Sequence, residues 1–195
     1  MVNKKMSTRT MVTGALLTAL VIILQFVGAS IKLGPFSVSL VLIPIAIGAI
    51  TCGKTIGAWL GLVFGVVVLA SGDAAPFWAV STPGTIITVL LKGMACGFIS
   101  GLVYEILTKV FDKTGKNMTY VAAAVAALVC PVVNTGVFLL GCLVFFMDTV
   151  REWAGGSDVG TYMIVGLVGI NFIFEMAVNI IFAPAISHIV KVIKK

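Results

Sequence analysis

Long apolar segments recur along this chain, separated by short stretches where glycine, proline and charged residues gather. They run roughly over residues 11–30, 36–52, 56–71, 84–107, 119–147 and 162–190. Each approaches or exceeds the ~20 residues that a helix rising 1.5 Å per residue needs to cross the hydrocarbon of a bilayer. None shows the two-residue alternation, apolar outward and polar inward, of a membrane barrel strand. The pattern predicts six transmembrane helices and essentially nothing else. The expected fold is an all-α membrane protein, a six-helix bundle forming a single integral membrane domain over residues 1–195.

The interruptions carry as much information as the runs. Lys32-Leu-Gly-Pro-Phe-Ser reads as a short turn-rich loop. Pro44 falls inside the second segment, and Gly57, Gly61 and Gly65 make a small-residue stripe on the third, which permits close helix contact. Ser71 to Thr85 holds two prolines and two glycines, which argues against a continuous helix there, yet Phe77, Trp78 and Val80 keep it apolar. That loop reads either as a lid over one end of the bundle or as an interfacial anchor, since tryptophan favours the headgroup level. In the first segment Ala15 and Ala19 stand at i and i+4 beside Gly14 and Thr18, a small face suited to close approach of another helix. Spacing alone favours packing inside the bundle.

Composition agrees with a lipid solvent: 60% of residues are hydrophobic, only 10% are charged, and the mean hydropathy is +1.19. A soluble domain of this size cannot hide so much apolar surface. The basic start at Lys4, Lys5 and Arg9 resembles a signal peptide, but the apolar stretch behind it is too long and no small-x-small cleavage site follows, so a first transmembrane helix is expected. The net charge of +6 would suggest a nucleic-acid partner in a soluble protein, but its distribution points to lipid. With the N-terminus inside, ten basic residues (Lys4, Lys5, Arg9, Lys54, Lys109, Lys113, Lys116, Lys191, Lys194 and Lys195) face the cytoplasm. Lys32 and Arg151 face outward, among Asp73, Asp148, Glu152 and Asp158. This is a positive-inside pattern with both termini cytoplasmic, and it leaves the sequon Asn117-Met118-Thr119 on the inner side. No nucleic-acid role is expected.

The chemistry is sparse. Gly48-Ala-Ile-Thr-Cys-Gly-Lys54-Thr55 matches the phosphate-binding loop pattern. That motif needs a buried strand feeding it and a helix leaving it. Here apolar membrane sequence precedes it, and Asp148, in the nearest second motif, falls on the opposite side of the membrane. The residues read as a turn between two helices. Cys52, Cys96, Cys130 and Cys142 lack metal-ligand spacing and read as inert buried thiols. His188 sits near the inner end of the last segment, and no paired-carboxylate, zinc-protease or nucleophilic-serine motif is present. No enzyme, cofactor or metal is expected.

The informative residues are polar ones inside apolar runs. Lys92 lies about seven residues, or ~10 Å, into the fourth segment. Asn134 follows Pro131 in the fifth, and Asn171, Glu175 and Asn179 line one face of the sixth. Ionisable groups at such depths cost several kcal/mol unless paired or facing water, and mark functional positions by default. Lys92, Asn134 and Asn171 at one level, with Glu175 a turn deeper, suggest a pocket opening outward. Phe77, Trp78 and Lys32 at its mouth are further candidates for ligand contact. The plainer alternative is a Lys92–Glu175 ion pair that only fixes one helix against another.

The helix count, the inside N-terminus, the Ala15-x-x-x-Ala19 pattern and the irregular loop after the third helix resemble the substrate-binding, or S, components of energy-coupling factor (ECF) vitamin transporters of bacteria. Ser39-Leu-Val-Leu-Ile-Pro-Ile-Ala-Ile-Gly-Ala-Ile and Gly57-Ala-Trp-Leu-Gly-Leu-Val-Phe-Gly are similar to helices two and three of the pantothenate-type members. The resemblance implies a multi-pass protein of the bacterial plasma membrane that binds one vitamin or micronutrient tightly from outside. It implies partnership with a membrane scaffold (T) subunit and two cytoplasmic ATPases, followed by reorientation as a body. It also implies that Ala15 and Ala19 meet the scaffold. Pantothenate-type members tend to carry an arginine near Lys92, which implies an anion-binding role for this lysine and a carboxylate-bearing ligand. A self-sufficient carrier or channel is the competing class, without the inverted repeat or matched broken helices such proteins commonly show. A structural assembly factor is the third, and it leaves Lys92 and Glu175 unexplained.

Overall fold

A computed structural model describes residues 7–29, 32–33, 36–37, 39–113 and 118–193. Lys4, Lys5, Lys116, Asn117, Lys194 and Lys195 lie outside the described residues, as does the side chain of Lys191. The chain runs through α1 (Thr8–Ala29), an antiparallel pair of two-residue strands β1 (Lys32–Leu33) and β2 (Phe36–Ser37), α2 (Leu42–Cys52) and α3 (Lys54–Ser71). A short α4 (Ala75–Trp78) then leads into α5 (Thr82–Lys113), α6 (Thr119–Phe145), α7 (Met147–Ala154) and α8 (Val159–Thr161). A π-helical stretch, Tyr162–Leu167, opens the last element, α9 (Gly169–Ile193).

Five helices, α1, α3, α5, α6 and α9, are long and apolar enough to cross a membrane. The expected second span differs. Residues 36–52 divide into a strand, a turn and the 11-residue α2, which covers only ~16 Å at 1.5 Å per residue. The apolar run is real, but its residues serve another purpose: Leu42, Pro44, Ile45, Ala46, Gly48, Ala49 and Ile50 are all buried against protein. Pro44 sits in the first turn, where the missing N–H breaks no helical bond. The expectation of helices and nothing else is likewise corrected by the hairpin and by α4, α7 and α8.

Glycine sets the tightest seam. Gly57 and Gly61 of α3 face Gly97 and Gly93 of α5, so that a Cβ on Gly61 would overlap the Gly93 carbonyl and one on Gly57 the Gly97 carbonyl. The stripe predicted on α3 thus meets a matching stripe on α5, continued by Gly101 against the backbone of Lys54. At that end Lys54 donates to Glu105 at 2.8 Å, tying the start of α3 to α5. The phosphate-loop pattern is spread over this junction: Gly48 is buried in α2, Gly53 breaks the chain at φ 95°, and Lys54 begins α3. The element feeding the pattern is a helix, so its N–H groups are committed to helical bonds and cannot cradle a phosphate.

Two apolar clusters hold the bundle. The larger joins α1, α2, α3, α5, α6 and α9 through residues such as Val21, Ile45, Leu60, Phe64, Ala126 and Ile186. The smaller gathers Phe77, Cys142, Phe146, Val150, Met163, Leu167 and Val168 at the end where α3 finishes and α5 begins. Here the segment predicted to be irregular forms a turn at Gly72 (φ 84°), then α4, and Pro83 enters the first turn of α5. Nearby, Asp158 accepts the Thr161 N–H at 2.7 Å, and that bond holds its exposed carboxyl below the ordinary range.

Candidate ligand-binding site

The same end of the bundle contains a cavity of about 690 Å³, counted out to its open side. Five long helices and the turn after α3 build it. Gln25 comes from α1, Phe64 and Val68 from α3, Lys92 and Val89 from α5, Asn134 and Phe138 from α6, Asn171 and Glu175 from α9. The spacing explains the convergence. Asn134 and Phe138 are one turn apart on α6, as are Asn171 and Glu175 on α9, so each helix presents a polar and a second group to the same space.

Lys92 is at the centre. Its Nζ lies 5.5 Å from the ring centroid of Phe64 and 5.4 Å from that of Phe138. The two ring faces stabilise the ammonium through their quadrupoles. They do not take up its N–H donors as an anion would. Among the described residues, the ion pairs within 4.0 Å are Lys54–Glu105 and Arg151–Asp148, so Lys92 and Glu175 share a cavity without forming a direct pair. The Glu175 carboxylate lies against Ser39, and its field reaches Lys92. Gln25, only 2% exposed, donates to Asp73 at 2.6 Å, joining α1 to the turn after α3.

Two amides complete the lining. Asn134 is 4% and Asn171 8% exposed, and among the described residues no donor reaches the side-chain carbonyl oxygen of either. A buried acceptor without a donor costs about 1–3 kcal/mol. Asn179, whose amide donates to the Glu175 carbonyl at 2.9 Å within α9, has a side-chain oxygen in the same condition.

Phe77 covers the cavity from α4. It is 4% exposed and is held by ring contacts to Phe138 (5.7 Å), Phe146 (4.7 Å) and Trp153 (5.5 Å). Lys92, Asn134, Asn171, Glu175 and Phe77 therefore share one space. Trp78 does not line it and packs against the larger apolar cluster instead. The side chain of Lys32 lies outside the described residues. Gln25, Ser39, Asp73, Thr135 and the phenylalanines 64, 138 and 172 line the cavity as well. Of these, Gln25 carries a sequence signal, an amide within an unbroken apolar run.

The faces of α1 are sharply divided. Gly14, Leu17, Val21, Gln25 and Gly28 are buried, whereas Ala15 and Ala19 are exposed beside Met11, Val12, Leu16 and Ile23. The packing inside the bundle that spacing alone favours for these alanines is not what the structure has; Gly14 and Thr18 supply the inner contacts, to Ile56 and Trp59.

Compared with known families, the chain matches the family model described as ECF transporter, substrate-specific component, over residues 9–187. No curated protein matches its sequence.

Proposed function

The chain belongs to the ECF transporter substrate-specific components, and on that premise we propose that it captures a vitamin or related micronutrient from outside the cell with high affinity. It is a transporter subunit of a membrane-protein family rather than an enzyme. The observation that carries the proposal is the cavity: a lysine ammonium and two donor-less amides converge at one end of a bundle of membrane-length helices. Such polar groups are tolerated there when they face water or a polar partner, and a ligand can supply that partner. A carboxylate on the ligand is the natural partner of Lys92, and Phe77 closes over it from α4.

The further reading is a bacterial plasma-membrane protein, one integral domain with six crossings, the second made by residues 36–52 as a whole rather than by α2 alone, and both termini cytoplasmic. Charge supports that orientation: Arg9, Lys54, Lys109 and Lys113 belong to one end, while Asp73, Asp148, Glu152 and Asp158 belong to the cavity end. The exposed alanine face of α1 supports docking on a separate scaffold subunit, and hydrolysis belongs to two ATPase partners. Similarity of residues 39–50 and 57–65 to pantothenate-type members supports placing the ligand near that chemistry. The test is purification from a bacterial membrane. A scaffold and two ATPases should accompany the chain, and uptake should require them; uptake by vesicles holding this chain alone would overturn the proposal.

A further inference from the structure

Among the described lining residues, one cation, Lys92, shares the cavity with two carboxylates, Asp73 and Glu175. Opposite charges attract strongly where water is scarce. The fields of both carboxylates reach the ammonium, yet among the described residues neither comes within 4.0 Å of it. Each charge is held by neutral partners instead. The ammonium lies between the rings of Phe64 and Phe138. Glu175 accepts from the hydroxyl and the backbone N–H of Ser39, and Asp73 accepts from the Gln25 amide at 2.6 Å. The two carboxylates differ in how firmly their backbones hold them. Glu175 stands inside α9, where the helix fixes its direction. Asp73 stands in the turn between α3 and α4, beside Gly72 at φ 84°, and the amide that holds it comes from a different element, α1.

We infer that Gln25 is a positioning residue for capture: by holding the Asp73 carboxylate it keeps that group off Lys92 and leaves the ammonium open to an acidic group on the ligand. This rests on the reading of the chain as a capture subunit whose ligand meets Lys92 with a carboxylate. Without the Gln25 amide, Asp73 turns into an internal competitor for the same charge. Apparent affinity then falls with the fraction of molecules in which Lys92 is already paired. Gln25 acts through Asp73 and need not touch the ligand, so its loss should be reversible by a second change at Asp73.

Two measurements on the full chain in detergent test this. Gln25→Met keeps an unbranched side chain and removes the amide; Gln25→Leu takes its place if that chain does not fold. The first measurement is thermal unfolding of chain freed of small molecules by dialysis. Lys92→Met should change the unfolding temperature little in the wild-type background and lower it by several degrees in the Gln25→Met background, where the lysine has paired with Asp73. The second uses as its probe the molecule released by denaturing purified wild-type chain, identified by mass spectrometry and added back in calorimetry. Gln25→Met should bind it roughly tenfold or more weakly, and adding Asp73→Asn should recover most of that loss. Binding that stays weak in the double variant makes Gln25 a ligand contact or a packing residue. That result overturns the assignment and leaves the capture reading standing. Unchanged affinity in Gln25→Met, or an equal effect of Lys92→Met in both backgrounds, overturns it as well. A wild-type chain that releases no molecule overturns the capture reading and this inference with it.

Discussion

An ammonium caught between two aromatic faces is attracted to both and fully paired by neither, which is the condition of Lys92 between Phe64 and Phe138. In a water-poor site, a charge-assisted hydrogen bond from it to an anion contributes about 1.5–3 kcal/mol. Lys92→Met keeps an unbranched side chain of similar reach while removing the charge. It should weaken binding of the co-purified molecule roughly ten- to a hundredfold by calorimetry, with the melting temperature little changed. A large loss of stability with unchanged affinity would make this lysine a partner of Glu175 alone. The same rule that marks Lys92 in the sequence, a polar group within an apolar run, also marks Asn134, Asn171, Glu175 and Gln25. Asp73, Phe64 and Phe138 carry no such mark. An aspartate beside a glycine turn and a phenylalanine in an apolar helix are ordinary until tertiary contacts bring them to the cavity.

At the scale of elements, the α3–α5 seam and the outer face of α1 are two uses of small residues with opposite outcomes. In the seam the backbones meet, and a side chain added at Gly61 has the Gly93 carbonyl in its way. Gly61→Val should therefore destabilise the protein by about 1–3 kcal/mol or more, read as a lower unfolding temperature in detergent. Gly136→Ala, where an added Cβ meets nothing within 4 Å, should leave it unchanged. On α1, Ala15 and Ala19 have no such neighbour and are exposed. Ala15→Trp or Ala19→Trp should block assembly with a scaffold and abolish uptake while the isolated chain still retains its small molecule. Loss of retention together with uptake would place these residues in the fold rather than at an interface. Spacing identified both small stripes. Which one is sealed and which is open depends on the partner helix, and sequence spacing is silent on that.

For the whole molecule, the surplus of basic residues at one end predicts a fixed orientation in the membrane. In a background without the four native cysteines, single cysteines at positions 75 and 155 should react with an impermeant reagent from outside, and one at position 54 should not. Reaction at 54 from outside would invert the orientation and turn the cavity inward. The long helices were legible because apolar length is dictated by the thickness of lipid. The second segment was misleading for the same reason: residues 36–52 are apolar enough for lipid, yet the chain spends part of them on a hairpin and buries the rest in protein.

That shortened helix bears on how the protein is made. A segment leaving the insertion machinery must satisfy its own backbone in hydrocarbon, and the 11 residues of α2 reach about half-way across. Its contacts are instead with α1, α3, α5, α6 and α9. The last of these helices emerges from the ribosome more than a hundred residues after α2. The second helix made therefore cannot complete its packing until the last one has arrived.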